Sequence, residues 1–150
     1  MKQENQELSQ TPVLHLPERK YFTLQEAEAL LPQIEEHLLE VLKIRDARRL
    51  LQTIDIQFPD PFVAHAKEVR AHKEMHRLYF LEYQHLDALA ILGCFVKDAE
   101  KGLVDFYSKK EGKDVFLCWK FGESCVEHWH DIVRGFETRR KIDKTDVFCK

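Results

Sequence analysis

Residues 115 to 130 read VFLCWKFGESCVEHWH, a run dense in side chains that bind metals or move protons. Cys118, Glu123, His128 and His130 offer a thiolate, a carboxylate and two imidazoles, and Asp105 adds a second carboxylate from the preceding apolar run GLVDFY. Sulfur, imidazole nitrogen and carboxylate oxygen together suit zinc or iron, with further carboxylates orienting the imidazoles. The spacing matches no zinc finger or zincin, so a second reading stands beside the first. In it Cys118 is a small buried hydrophobe, and His130 is held by Asp105 or Glu123 in a structural hydrogen-bond network.

Other constellations carry weaker signals. His65, Glu68, His72 and His76 recur at steps of three and four, which would place them on one face of a helix. Glu82 with His85 and Glu127 with His130 repeat an ExxH pattern, but a carboxylate-bridged di-iron bundle needs further glutamates from two more helices. No GxSxG elbow, phosphate loop or dinucleotide glycine pattern occurs. Cys118 inside FLCWKF reads as buried, which argues against a nucleophilic thiol. Asp98 and Asp105 could act as acid and base only across a shared cleft, and Asp98 in VKDAEKG suits a turn cap. Arg139, Arg140 and Lys141 form a basic triplet that could meet phosphate or an acidic surface.

The elements that must position these groups follow from length and pattern. The chain has 150 residues, 44% hydrophobic and 33% charged, with a formal net charge of -3. It is therefore a single soluble domain with no field to draw polyanions, and nucleic acid is disfavoured as a partner. Four cysteines without a CxxC pair, a polar start without an apolar leader, and no apolar run near membrane length predict a cytoplasmic, reduced protein.

Residues 1–20 are expected to form a mobile arm, with PVLHLPERKYF lying extended on the body. In TLQEAEALLPQ, Thr23 and Glu26 are spaced as a capping box. The pattern predicts a short helix from Leu24 to about Leu30, a break before Pro32, and a second helix from Pro32 to about Ile56 with Ile34, Leu38, Val41 or Leu42, and Ile44 inward. After FPDPF, a third helix is predicted from about Val63 to Leu92 with Val63, Ala66, Val69, Met75 or His76, Tyr79, Leu86 and Leu89 on its buried stripe. A short loop between long helices predicts an antiparallel hairpin.

From Gly93 the period changes. CFVK, GLVDFY and DVFLCWKF predict a three-stranded antiparallel meander, in which Val115, Leu117 and Trp119 face one way while Phe116 and Cys118 face the other. Both faces are apolar, so the sheet needs two covers, the second being the N-terminal arm, the segment SCVEHWHDIVRGF or another copy of the chain. Val126, Trp129 and Val133 at helical spacing predict a short C-terminal helix ending at Gly135. Residues 21–139 then form one α+β domain, and 140–150 a loosely held tail.

FTLQEAEALLP, VKDAEKGLVDF, VFLCWKFGE and WHDIVRGFETR, taken in this order, resemble a family of small bacterial proteins known as domain of unknown function 2203, over about residues 21 to 139. The resemblance marks Asp98, Asp105, Trp119, Gly122, Glu123, Trp129, His130, Gly135, Phe136 and Arg139 as the family pattern, leaves His128 outside it, and implies no activity. Two functional readings follow. One is a cytosolic, non-enzymatic interaction or scaffold protein acting through its helical hairpin, and a homodimer because of its apolar surface. The other is a metal-binding protein or metal-dependent enzyme centred on Asp105, Cys118, Glu123 and His130, with Asp98, Trp119, Trp129 and Arg139 as further candidates.

Overall fold

The computed structural model describes residues 17–150 and all of their side chains except that of Phe136. Most of the expected N-terminal arm lies outside the described residues. Its last part lies on the body: Phe22 N–H donates to the Tyr107 carbonyl at 2.8 Å, and Lys20 Nζ donates to the Ile91 carbonyl at 2.8 Å.

Helix α1 spans Leu24–Thr53. Its start is the expected capping box, with Glu26 N–H donating to Thr23 Oγ1 at 3.2 Å and Thr23 N–H to Glu26 Oε2 at 3.0 Å. The expected break at Pro32 does not occur, and the proline sits inside one continuous helix with its side chain exposed. An interior proline costs about 3 kcal/mol. Burial of Leu31, Ile34, Leu38 and Val41 around it, at roughly 1.5–3 kcal/mol each, outweighs that cost.

Helix α2 spans Pro61–Leu92. Asp60 caps it by accepting from Val63 N–H at 2.8 Å, Pro61 occupies its first turn, and Gly93 at φ 97° ends it. A Cβ on Gly93 would fall 2.8 Å from Lys20 Cδ, so both conformation and space call for glycine there. The helices run antiparallel, with Arg45 and Arg48 of α1 meeting Glu82 of α2 while the earlier His37 meets the later His85.

The predicted α2 stripe is only partly the buried one. Leu78, Glu82 and Leu89 are buried, whereas Val63, Val69 and Tyr79 are exposed. The helix carries apolar residues on two faces, and steps of three and four can be traced along either.

The sheet is larger than the expected three strands. Strands β1 (Phe95–Asp98), β2 (Leu103–Lys110), β3 (Lys113–Lys120), β4 (His128–Asp131) and β5 (Arg140–Lys141) form an antiparallel meander in the order β1-β2-β3-β4-β5. The expected C-terminal helix is β4, followed by a 3-10 turn at Phe136–Thr138. Residues 115–118 of β3 hold out backbone groups that β4 satisfies, and HWHD alternates with the period of a strand. Val133, which was to complete the helix face, is 96% exposed.

Alternation along β3 divides the sheet as expected, and β2 and β4 follow the same division. Val104, Phe106, Val115, Leu117, Trp119 and Trp129 share one core with Ala27, Leu31, Ile34, Leu38 and Val41 of α1. On the opposite face, Asp105, Cys118 and His128 stand side by side across three strands, with Tyr107, Phe116 and His130 in the next row. The segment after β4 returns over this face, and a Cβ on Gly135 would lie 3.8 Å from Lys97 Nζ.

The C-terminal end is docked rather than loose. Lys109 and Cys149 exchange backbone hydrogen bonds of 2.8 and 2.9 Å, Phe148 is buried in the core, and Lys150 pairs with Glu26.

Candidate metal centre

Asp105, Cys118 and His130 come from three adjacent strands and are each buried to 1% exposure. Their ligating atoms all lie within 4.8 Å of one another. The antiparallel register makes the cluster: Asp105 sits opposite Cys118, and His130 opposite Phe116, two residues before Cys118 on the same face.

His130 Nδ1 lies 2.9 Å from the Asp131 carbonyl. A carbonyl only accepts, so Nδ1 donates to it and Nε2 is the ring nitrogen that faces the cluster, with a lone pair for a cation once its own proton is displaced. Nε2 is 3.3 Å from Asp105 Oδ2. That contact lies within ion-pair range but lacks hydrogen-bond geometry, and Asp105 Oδ1, Asp105 Oδ2 and His130 Nε2 are all buried without a hydrogen-bond partner. Lys97 Nζ, at 4.0 Å from Asp105 Oδ2, is the nearby cation.

The surroundings hold protons on the thiol and the imidazole. Burial, reinforced by the charge of Asp105, pushes the Cys118 thiol up to about 12. Burial pulls the His130 pKa down, but the Asp105 carboxylate and the Asp131 carbonyl outweigh it, and the net shift is upward from 6.5. A thiol so placed is a poor nucleophile. As a metal ligand it would ionise on binding, because the cation replaces the proton.

Glu123 does not join the cluster. Its Oε2 accepts from Lys120 N–H at 2.9 Å and its Oε1 from Arg139 Nη1 at 3.2 Å, while its backbone carbonyl accepts from Trp119 Nε1 at 2.8 Å. Glu123 and Arg139 therefore lock the turn after β3, at Gly122 with φ 94°. Trp119 and Trp129 belong to the opposite, helix-covered face. Asp98 caps its turn as expected, accepting from Glu100 and Lys101 N–H at 3.0 and 3.1 Å. The hydrogen bond from Lys101, against a smaller opposing effect of desolvation, holds its pKa below 3.8.

The remaining sequence candidates disperse. His65, Glu68, His72 and His76 are exposed on α2. Glu82 is occupied by Arg45 and Arg48, and Glu127 lies in a loop rather than on a helix. In the basic triplet, Arg139 pairs with Glu123 and Arg140 with Asp131. Three other features complete the picture, of which the sequence reading names His128 and His85 but neither Lys97 nor His37. His128, across from Cys118, keeps Nδ1 buried and unpartnered. Lys97 approaches Asp105 from β1. His37 and His85 bring their Nδ1 atoms to 3.0 Å between the helices.

Among the described residues, no helix is long and apolar enough to cross a membrane. Neither a curated protein nor a solved structure matches the chain. A family model described as an uncharacterized conserved protein, DUF2203, matches residues 20–142, which include both capped helices and all five strands, and the chain belongs to that family.

Proposed function

We propose that this protein binds one divalent transition ion through Asp105 Oδ, Cys118 Sγ and His130 Nε2. The observation that carries this reading is the convergence of three buried donors, of which the carboxylate and the imidazole nitrogen have no hydrogen-bond partner. A buried polar atom left unpaired costs about 1–3 kcal/mol, and more when charged. A cation between these atoms would remove that cost for all of them together. The mixed sulfur, nitrogen and oxygen set favours a borderline ion such as zinc over magnesium or calcium.

Elemental analysis of untagged protein purified without chelators tests the reading. One equivalent of zinc or iron is expected, lost in Asp105→Asn, Cys118→Ser and His130→Ala and retained in Glu123→Gln, with all four variants folded. A folded wild type that takes up no ion, even when ions are added back, would leave the cluster a structural network.

A second reading, an interaction protein acting through its helical hairpin, is supported by Phe62, Phe80 and Tyr83, which are 79%, 63% and 65% exposed on α2. The two readings use different surfaces and are compatible.

A further inference from the structure

Helix α2 turns Leu78, Glu82 and Leu89 toward the rest of the domain. Opposite that row, Phe62, Val69, Phe80, Tyr83 and Ile91 are between 52% and 79% exposed. His65, His72, His76 and Asp87 fill the intervening places and are exposed as well. The successive steps along this row are three or four residues, and at 3.6 residues per turn all nine positions fall within roughly 100° of arc. This is the width of a core-facing stripe, yet none of the described residues covers it.

We propose that a second copy of this chain covers this stripe, with the two α2 helices antiparallel about a two-fold axis at His76. A two-fold pairing requires that residue i meet residue j and that j meet i. Placing the axis at His76 sets Val69 against Tyr83, His72 against Phe80, and Phe62 against Ala90 and Ile91. It also sets His65 against Asp87, one imidazole-to-carboxylate pair at each end. A parallel pairing would place Asp87 on Asp87 and His65 on His65, so the charges select the antiparallel arrangement. The histidines that read as a metal stripe in the sequence are, on this inference, the polar positions of an interface seam, which set register as polar residues do in coiled coils.

The test is the mass of the full-length chain in solution by light scattering and sedimentation, at micromolar concentration. Wild type is expected at twice the mass of one chain, and Phe80→Glu with Tyr83→Glu at the mass of one chain with unchanged helical circular dichroism. His65→Asp and Asp87→Lys should each weaken dimerisation by roughly tenfold, since each change acts twice per dimer. The double variant H65D/D87K should return to within about twofold of wild type, because the pair is restored with its signs exchanged. With Cys125 and Cys149 replaced by serine, His76→Cys should cross-link copies on oxidation while Arg70→Cys, off the stripe, should not. A single-chain mass for wild type would overturn the proposal, as would a two-chain mass that survives the glutamates, or singles that the double variant does not rescue. A larger partner recovered on the stripe in place of a second copy would overturn it as well.

Discussion

Asp105→Asn separates the metal site from a structural ion pair because the two predict opposite patterns of stability. Without an ion, the carboxylate has contacts of 3.3 Å to His130 and 4.0 Å to Lys97, but both of its oxygens lack a hydrogen-bond partner. Asparagine keeps the shape and removes the buried charge, so the desolvation relieved offsets the attraction lost. The metal-free variant is therefore expected within about 1 kcal/mol of the metal-free wild type. Zinc at a thousandfold excess over its Kd stabilises the wild type by about 4 kcal/mol. In a domain of this size that corresponds to a rise in Tm of roughly 8–16 °C, and the variant should show little of it. Melting curves of both proteins, with zinc and with chelator, provide the assay. A structural ion pair would reverse the pattern: Asp105→Asn would lose about 3–5 kcal/mol in chelator, and zinc would move neither protein. That result would refute the assignment.

Three further outcomes are expected. Glu82→Ala strands Arg45 and Arg48 beside a buried void and should cost about 3–5 kcal/mol, a drop in Tm on the order of 10 °C by calorimetry, whereas replacing all three with methionine should recover most of it. Cys94 and Cys118 are buried with thiols pushed up to about 12, so a thiol reagent on metal-free native protein should label Cys125 and Cys149 and reach the other two only after unfolding, as peptide mass mapping would show. Hydrogen bonds from Lys150 and Thr23 hold the Glu26 pKa below 4.5, so its contribution is present above that value and lost as pH falls through the folded pKa; the stability gap between wild type and Glu26→Gln in urea titrations should close on acidification.

The parts of the fold that local physics decides were readable from the sequence. Thr23 and Glu26 announced the start of α1, the helix expected from Val63 to Leu92 is α2 apart from its first two residues, and alternation in DVFLCWKF put Cys118 on the face away from Trp119. What failed depended on partners distant in sequence. HWHD reads as strand only when β3 offers a free edge, and the three-four spacing of Val126, Trp129 and Val133 concealed this. Pro32 breaks an isolated helix but not one whose flanking residues are anchored in a core. For the site, residue chemistry grouped Asp105, Cys118 and His130, whose ligating atoms lie within 4.8 Å of one another. It misplaced Glu123 because only the turn at Gly122 directs that carboxylate back to Lys120 and Arg139.

The meander explains why one short stretch can hold both a core and a site. Period-two alternation sends Leu117, Trp119 and Trp129 to α1 and sends Cys118, His128 and His130 the other way. Neighbouring residues thus serve different layers, and the chain needs no long-range crossover to bring its donors together. Each donor comes from a separate strand of a hydrogen-bonded ladder, so their separation is set by strand spacing rather than by flexible loops. Such a frame holds its donors at fixed distances whether or not an ion is present. On the proposed reading, substitutions on the face of Asp105, Cys118 and His130 should therefore change metal content while leaving the helix-facing core intact, and substitutions on the exposed face of α2 should alter association without touching either. Additivity between variants of the two groups would follow from that layering, because the sheet and α1 lie between them.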